Sequence, residues 1–332
     1  MTDFQKELGR IADQVDQYIL AQLKPRKPNT LWEAATHLPK TGGKKLRPFL
    51  TINTCKALGG TEQSALPVAS ALELIQVFSL IHDDIIDNDR LRRGVPTVHT
   101  KWGIPTAIVA GDLLHTKSYE ILTEAAILDP VILKVLPQLL HEMNHGTIRI
   151  CEGQQMDEEL ETISNPSEST YLDMIERKTA ALFEISTAMG AILATTESSK
   201  IERMRLFGSR LGIAFQIVDD ILGLVAEEKE LGKPVGSDIR EGKNTLLVIH
   251  AVAICSKKQK RIIMKALGNS KATLAQIRTA TKEIVECGAV DYAHKTAASY
   301  ASEAKSGLLA LPSSSSRDLL DDVVDFVLSR RY

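Results

Sequence analysis

Apolar residues recur at helical spacing along most of this chain of 332 residues. Near its start they lie every three or four positions, at Phe4, Leu8, Ile11, Val15 and Ile19. This period predicts an amphipathic helix, which the prolines at positions 25 and 28 end. A later helix over residues 65–87 is apolar on nearly all sides, as buried helices are, and a helix over about 201–224 also contains an apolar run. No strand-type alternation stands out, so the pattern predicts one all-α domain over residues 1–332.

Both of these helices carry aspartates after an apolar run. In the first helix they are Asp83, Asp84 and Asp87, and in the second they are Asp219 and Asp220. Asp83 and Asp87 are one helical turn apart and project in nearly the same direction, so they can share a cation. The simpler interpretation is a solvated helix end, because charge at helix surfaces is common. Carboxylates at the end of a buried helix are costly unless they bind something, which favours a metal site.

Basic residues accompany the first acidic cluster. Arg92 and Arg93 follow it within one loop, and the earlier sequence GGKKLRP places Lys44, Lys45 and Arg47 at the start of another predicted helix. Helix amino termini and clustered cations both favour an anion, although a basic surface loop would look the same. The GxxxxGK[ST] spacing of a P-loop is absent, so nucleotide binding is not indicated.

Three further segments carry candidate polar residues. Gln154 and Asp157 lie one turn apart in a long predicted helix, and Lys178 and Thr179 lie among apolar residues, where an ammonium group needs a partner. The segment LGKPVGSDIREGKNT is rich in glycine and charge and is typical of a flexible loop that closes over a charged ligand.

Composition narrows the class of protein. Hydrophobic residues make up 44% and charged residues 25%, which is ordinary for a soluble globular protein. A net charge of −2 provides no general electrostatic footprint for nucleic acid or membrane. The four cysteines lack CxxC spacing and indicate reduced thiols. Neither a signal peptide nor a spanning segment is evident, so we expect a cytoplasmic protein.

Taken in order, the motifs GGKKLRP, DDIID, LRRG, RKTA, FQIVDD and GKPVGSDIREGK resemble those of the trans-isoprenyl diphosphate synthases over essentially the full chain. The chain is most similar to geranylgeranyl diphosphate synthases of archaeal type. The resemblance implies a helical bundle around a deep central cavity, the isoprenoid synthase fold, usually as a homodimer. It also implies Mg²⁺-dependent, head-to-tail condensation of isopentenyl diphosphate with an allylic diphosphate to give the C20 product.

The resemblance further implies roles for individual residues. Three Mg²⁺ ions would be held by the two aspartate motifs, Asp83, Asp84, Asp87, Asp219 and Asp220. Isopentenyl diphosphate would be bound by Lys44, Arg47, Gln76 and Arg93. The allylic diphosphate would be bound by Arg92, Lys178, Lys233 and Lys243. Catalytic residues near the reacting carbons would be Lys178, Thr179 and Gln216, with Gln154 and Asp157 lining the site near the metals.

The chain departs from the family pattern at two positions. Gly223 stands where many members have a third aspartate, and Gln76 stands where many have a histidine. An amide can donate to a phosphate oxygen but carries no charge. In the family, residues just before the first motif form the floor of the product pocket. Phe78 beside Ser79 is typical of C20 synthases, with C15 and C25 or longer products as alternatives.

Three other functions remain to be weighed. A terpene cyclase also ionises prenyl diphosphates, but it would not need the basic residues Lys44, Arg47 and Arg93. A non-catalytic regulatory subunit would be expected to lose acidic or basic site residues, whereas the whole first motif is present. A purely structural helical protein would explain none of the charged residues within apolar segments.

Overall fold

The computed structural model describes residues 3–163, 165–225, 237–309 and 311–330. In that part of the chain sixteen α-helices alternate with short connections. In chain order the helices are α1 (Asp3–Gln22), α2 (Asn29–His37), α3 (Leu46–Ala57), α4 (Glu62–Ile86), α5 (Val98–Trp102), α6 (Ile104–Leu128), α7 (Pro130–Thr162), α8 (Glu168–Ile175), α9 (Ala181–Ala194), α10 (Ser198–Val225), α11 (Ser237–Glu241), α12 (Leu246–Ile254), α13 (Lys257–Ala266), α14 (Leu274–Glu286), α15 (Ala289–Leu308) and α16 (Ser315–Ser329). The all-α prediction is therefore confirmed.

Three short elements complete the described structure. A 3-10 turn covers Pro39–Thr41, a π-helical turn covers Glu176–Ala180 between α8 and α9, and two antiparallel strands, β1 (Leu91–Arg92) and β2 (Val95–Pro96), form a hairpin. The sequence analysis predicted no strand, and the hairpin corrects it. Strands of two residues are too short to display a period of two.

Tertiary contacts divide the chain into two compact units. Unit 1 comprises Met1–Thr147, Leu182–Leu206 and Gly307–Val323. Unit 2 comprises Ile148–Ala181, Phe207–Ser306 and Val324–Tyr332. The single domain over residues 1–332 and its central cavity stay predictions.

The core of unit 1 is built around α4. Thr61 caps its start, where the Thr61 hydroxyl accepts a hydrogen bond from the Ser64 amide at 3.2 Å. Leu72, Ile75 and Ile81 are among its fully buried side chains, and each such burial contributes about 1.5–3 kcal/mol. Among the described helices, α4 alone is long and apolar enough to cross a membrane, and 67% of its most apolar window is buried inside the protein. Its composition is that of a core helix.

In unit 2 the apolar side of α10 packs into the core. Ile213, Ile217 and Ile221 recur every four residues and pack in one buried cluster with Leu246 and Leu247 of α12. The period leaves the polar residues of the FQIVDD sequence on another side of α10. Burial of the isoleucines therefore fixes the direction in which the second aspartate motif points.

Candidate active site

The first aspartate cluster lies at the carboxyl end of α4 in unit 1. Asp83 and Asp87 are partly exposed, and the Asp87 amide donates to the Asp83 carbonyl at 2.8 Å, so the two residues lie one turn apart as predicted. Asp84 differs, because it is only 1% exposed and its Oδ1 accepts a hydrogen bond from Arg92 Nε at 2.6 Å. In this structure Asp84 holds Arg92, and its predicted role as a metal ligand stays a prediction.

The β-hairpin presents both arginines of the LRRG sequence. Its two turn residues, Arg93 and Gly94, have φ angles of 52° and 76°, as the tight turns of two-residue hairpins require. The Arg93 guanidinium donates to the Gly42 carbonyl and lies 3.3 Å from the Thr41 hydroxyl. A Cβ on Gly43 would be 2.9 Å from its Cζ, so the glycine leaves room for this packing. Arg93 thus rests on the loop that carries Lys44.

Only part of the predicted cation cluster in that loop faces outward. Lys44 is exposed, and Arg47 is half-buried with its guanidinium 4.6 Å from the centre of the Phe183 ring. Lys45, which the sequence analysis grouped with them, is 4% exposed and points inward, so this interpretation was wrong. Its ammonium lies 2.9 Å from Asp16 Oδ1 and 3.0 Å from Glu73 Oε1. A buried ammonium needs such partners.

The predicted chain-length residues lie little more than one turn before the first motif. Phe78 is half-buried, and its ring meets His115 of α6 edge to face with the ring centres 5.0 Å apart. The His115 ring in turn lies 5.2 Å from Tyr119. Ser79 is half-buried and donates to the Gln76 carbonyl at 3.0 Å, and Gln76 is also half-buried. Phe78 therefore belongs to an aromatic row between α4 and α6.

The second aspartate cluster lies in unit 2, where two donors hold Asp220. Tyr171 donates its hydroxyl hydrogen to Oδ2 and the Gln216 amide donates to Oδ1, both at 2.7 Å. Burial first, and then the negative charge of Asp238, raise the pKa of Asp220 to about 7, although the two hydrogen bonds lower it. Asp220 can therefore change its protonation state near neutral pH.

Asp219 occupies a more open position. Its side chain is 49% exposed, and its Oδ1 lies 3.1 Å from Nη2 of Arg330. The Arg330 guanidinium also lies 4.3 Å from the centre of the Phe215 ring. The neighbouring aspartates thus differ, because Asp220 is fixed by neutral donors while Asp219 faces a cation and solvent.

The π-helical turn brings two more of the predicted residues into this cluster. Thr179 donates to Gln216 Oε1 at 2.7 Å, which orients the amide that holds Asp220. Lys178 Nζ lies 2.5 Å from Asp157 Oδ2, so the ammonium has the partner that its apolar sequence context requires. Gln154 is half-buried on the same helix as Asp157, and its amide nitrogen lies 3.4 Å from Glu158.

The departure at Gly223 has a structural reason. A Cβ at this position would lie 2.7 Å from Oδ2 of Asp238, a residue of α11. A side chain at position 223 would therefore require the Asp238 carboxylate, which comes from another segment, to turn away. Lys243, after α11, lies 3.2 Å from Glu241. Lys233 lies outside the described residues.

Sequence reasoning missed three residues of this cluster: Tyr171, Arg330 and Asp238. Tyr171 lies 49 positions before the aspartate that it binds, and Arg330 lies 111 positions after its partner. No local pattern marks such distant contacts. Asp238 was noted only as part of the charged loop, and a glycine in place of an expected aspartate was the one signal that something else fills the space.

The chemistry of these groups fits a hard divalent cation. Asp83, Asp87 and Asp219 are partly or well exposed carboxylates, and Mg²⁺ prefers oxygen ligands while retaining several waters. Across the described ranges, no three His, Cys, Asp or Glu side chains converge into a complete metal site. A bound diphosphate and water molecules would complete the coordination of a cation that these carboxylates hold.

Comparison with known proteins identifies the family. The Polyprenyl synthetase family matches residues 28–284. A geranylgeranyl diphosphate synthase of Sulfolobus acidocaldarius is 41% identical over 333 residues, covering 100% of both chains. A geranylfarnesyl diphosphate synthase of Aeropyrum pernix is 38% identical, covering 95% of this chain and 99% of the other.

Solved structures agree with these matches. Geranylgeranyl pyrophosphate synthetase from Pyrococcus horikoshii superimposes with a TM-score of 0.90 at 38% identity, over 99% of this chain and 100% of that one. Polyprenyl synthase from Caulobacter crescentus, complexed with calcium and isoprenyl diphosphate, gives 0.88 at 31% identity over 98% of both chains. The matches confirm the predicted isoprenoid synthase fold and trans-prenyltransferase class. The chain belongs to the polyprenyl synthetase family.

Proposed function

We propose that the protein condenses isopentenyl diphosphate with an allylic diphosphate, head to tail, and releases geranylgeranyl diphosphate. The observation that carries this proposal is the end of α4, where the partly exposed Asp83 and Asp87 lie beside Arg92, which Asp84 holds, and Arg93. Carboxylates for a metal and guanidiniums for a phosphate are thereby fixed in one segment.

The carboxylates are proposed to hold Mg²⁺, with three ions in the active enzyme. Asp83, Asp87 and Asp219 are the direct ligands in this proposal, with Asp84 and Asp220 in support. Bound Mg²⁺ would stabilise the negative charge that develops on the diphosphate as it leaves. The Caulobacter relative supports the pairing of a divalent cation with an isoprenyl diphosphate.

Cationic and polar side chains are proposed to bind the two diphosphates. Isopentenyl diphosphate is assigned to Lys44, Arg47, Gln76 and Arg93. The allylic diphosphate is assigned to Arg92, Lys178, Lys233 and Lys243. The packing of Arg93 on the loop before Lys44 supports the first assignment, because it fixes a guanidinium beside an exposed ammonium.

In the proposed reaction the allylic C–O bond breaks, and its electron pair leaves with the diphosphate. The double bond of isopentenyl diphosphate then attacks the allylic cation, and a proton is lost to the departed diphosphate. Thr179 and Gln216 are proposed to face the reacting carbons, with their geometry fixed by the hydrogen bond between them and by Asp220. The charged segment 233–243 is proposed to close over the site and exclude water, which would quench the cation. Its residues 237–241 form α11 rather than the predicted loop, and its residues 233–236 lie outside the described part of the chain.

Product length is assigned to Phe78 with Ser79. The contact between Phe78 and His115 supports a bulky stop, because two aromatic rings fill the space between α4 and α6. A C25 product is the second candidate, since a geranylfarnesyl diphosphate synthase is 38% identical to this chain.

We further propose a homodimer in the cytoplasm. Three apolar side chains near the start of α6, Ile104, Ile108 and Val109, are 43% to 51% exposed. Exposed apolar side chains that share one helix are typical of a surface that a partner covers. Light scattering at micromolar concentration measures the mass, and a monomer would contradict the proposal.

The proposed activity is tested by incubating the protein with Mg²⁺, isopentenyl diphosphate and dimethylallyl, geranyl or farnesyl diphosphate. Mass analysis of the products then gives the chain length. A dominant C20 diphosphate is expected. A C15 product, or one of C25 and above, would retain the chemistry and reject Phe78 as the stop. Cyclised hydrocarbon without elongation would favour a cyclase, and no turnover would favour a regulatory subunit.

A further inference from the structure

The π-helical turn Glu176–Ala180 gives Lys178 and Thr179 their positions. Its closing hydrogen bond runs from the Ala181 amide to the Glu176 carbonyl, five residues back, where an α-helix would span four. The added residue changes the direction of the side chains relative to a regular helix. In this geometry Lys178 reaches Asp157 and Thr179 reaches Gln216.

One side of α7 holds this turn through successive ion pairs. They join residues three and five positions apart on α7 to three consecutive residues of the turn: Arg149 to Glu176 at 3.7 Å, Glu152 to Arg177 at 2.7 Å and Asp157 to Lys178 at 2.5 Å. The pair between Glu152 and Arg177 is largely exposed and contributes little to stability. Together the three pairs draw the turn against α7.

Gly153 lies in the middle of that contact and is buried. A Cβ built on it would lie 2.6 Å from the Cα of Lys178 and 2.7 Å from the carbonyl carbon of Arg177. Both are backbone atoms, so no change of side-chain rotamer could make room. The two backbones therefore touch directly, and any side chain at position 153 would move the turn away from α7.

We propose that Gly153 is a positioning residue for the prenyl transfer, whose missing side chain sets the place of Lys178 and Thr179. The inference rests on the roles proposed above for those two residues. It predicts that one added methyl group, which meets only backbone atoms of Arg177 and Lys178, displaces two catalytic side chains together. A glycine needed only for close helix packing would instead affect stability alone.

The test compares Gly153→Ala with Gly190→Ala. Gly190 is a matched control, because it is also buried, and a Cβ there would collide with the Thr51 carbonyl oxygen in unit 1. Both variants are expected to lower the melting temperature to a similar extent. Gly153→Ala should also lower kcat by about 100-fold, the cost of misplacing a reacting group by about 1 Å, whereas Gly190→Ala should stay within about 3-fold of wild type.

A double-mutant cycle distinguishes a positioning role of Gly153 from a general loss of structure. Lys178→Ala and Gly153→Ala should be non-additive, so that the double variant is within about 3-fold of the worse single variant. If the two effects on kcat multiply in the double variant, or if the two glycine variants have equal kcat values, the proposal is overturned. If Gly153→Ala does not fold, Arg149→Gln with Glu152→Gln loosens the same contact without adding atoms and should lower kcat; unchanged kcat would then reject the proposal.

Failure of this inference is distinguishable from failure of the proposed function. If wild type itself does not elongate isopentenyl diphosphate, the proposed function falls. A crystal structure of Gly153→Ala then still decides the positioning claim. A lengthened distance between Lys178 Nζ and Asp157 Oδ2 supports it, and the wild-type distance of 2.5 Å contradicts it.

Discussion

Asp220→Asn should change how stability depends on pH. Asp220 keeps its proton up to a pH of about 7 in the folded protein, against an ordinary pKa of 3.8. Between these values the unfolded chain has released the proton and the folded chain has not. The contribution of Asp220 to stability is therefore fully present below about pH 4 and is lost as pH rises toward 7, at up to about 1.4 kcal/mol per pH unit. Over roughly three units the loss approaches 4 kcal/mol, an upper bound because the side chain keeps some solvent contact.

The asparagine variant carries no such proton. We therefore expect a pH-dependent difference in the free energy of unfolding, wild type minus Asp220→Asn. This difference should decline by up to about 4 kcal/mol between pH 4 and pH 7.5 and stay constant above that. Urea denaturation with EDTA present, at half-unit pH steps, measures this difference in the free energy of unfolding. Tyr171→Phe is the matched control, because loss of its hydrogen bond should raise the pKa of Asp220 and extend the decline to higher pH. A difference constant within about 1 kcal/mol across this range would refute the reasoning.

Three further predictions concern unit 1. Lys45→Met leaves the Glu73 carboxylate buried without its ammonium and should lower the free energy of unfolding by about 3–5 kcal/mol in urea denaturation; a loss below about 1 kcal/mol would contradict the buried pair. Asp83→Ala should lower kcat by roughly 1,000-fold or more with an unchanged melting temperature, and near-normal turnover would reject the metal assignment. Phe78→Ala removes the ring that meets His115 and should lengthen the product seen by mass analysis; an unchanged distribution would exclude Phe78 as the stop.

The main helices could be predicted because their signals are local. A long apolar run that ends in aspartates, as in α4 and α10, combines a period with a charged boundary within one stretch of sequence. The β-hairpin could not be found in this way, because its strands of two residues have no period. Arg93 and Gly94 adopt positive φ angles in its turn. Glycine favours such angles, so Gly94 is a local signal of the turn.

The sequence indicated which types of residue form the site, but not the direction in which each side chain points. Lys45 belongs to a run of cations, yet its backbone is left-handed with φ of 50°, and the side chain turns inward to Asp16 and Glu73. Those partners lie 29 positions before it and 28 after it, so only the tertiary fold decides which lysine is exposed. Tyr171 was missed for the same reason, because nothing near it in sequence indicates an aspartate partner.

The carboxylate of Asp238 beside Gly223 constrains how the second motif can evolve. An aspartate at position 223 would place its Cβ 2.7 Å from the existing Asp238 oxygen, so the Asp238 side chain would have to turn away to admit it. The two positions are therefore coupled, and a substitution that shortens residue 238 makes a third aspartate at position 223 easier to accommodate.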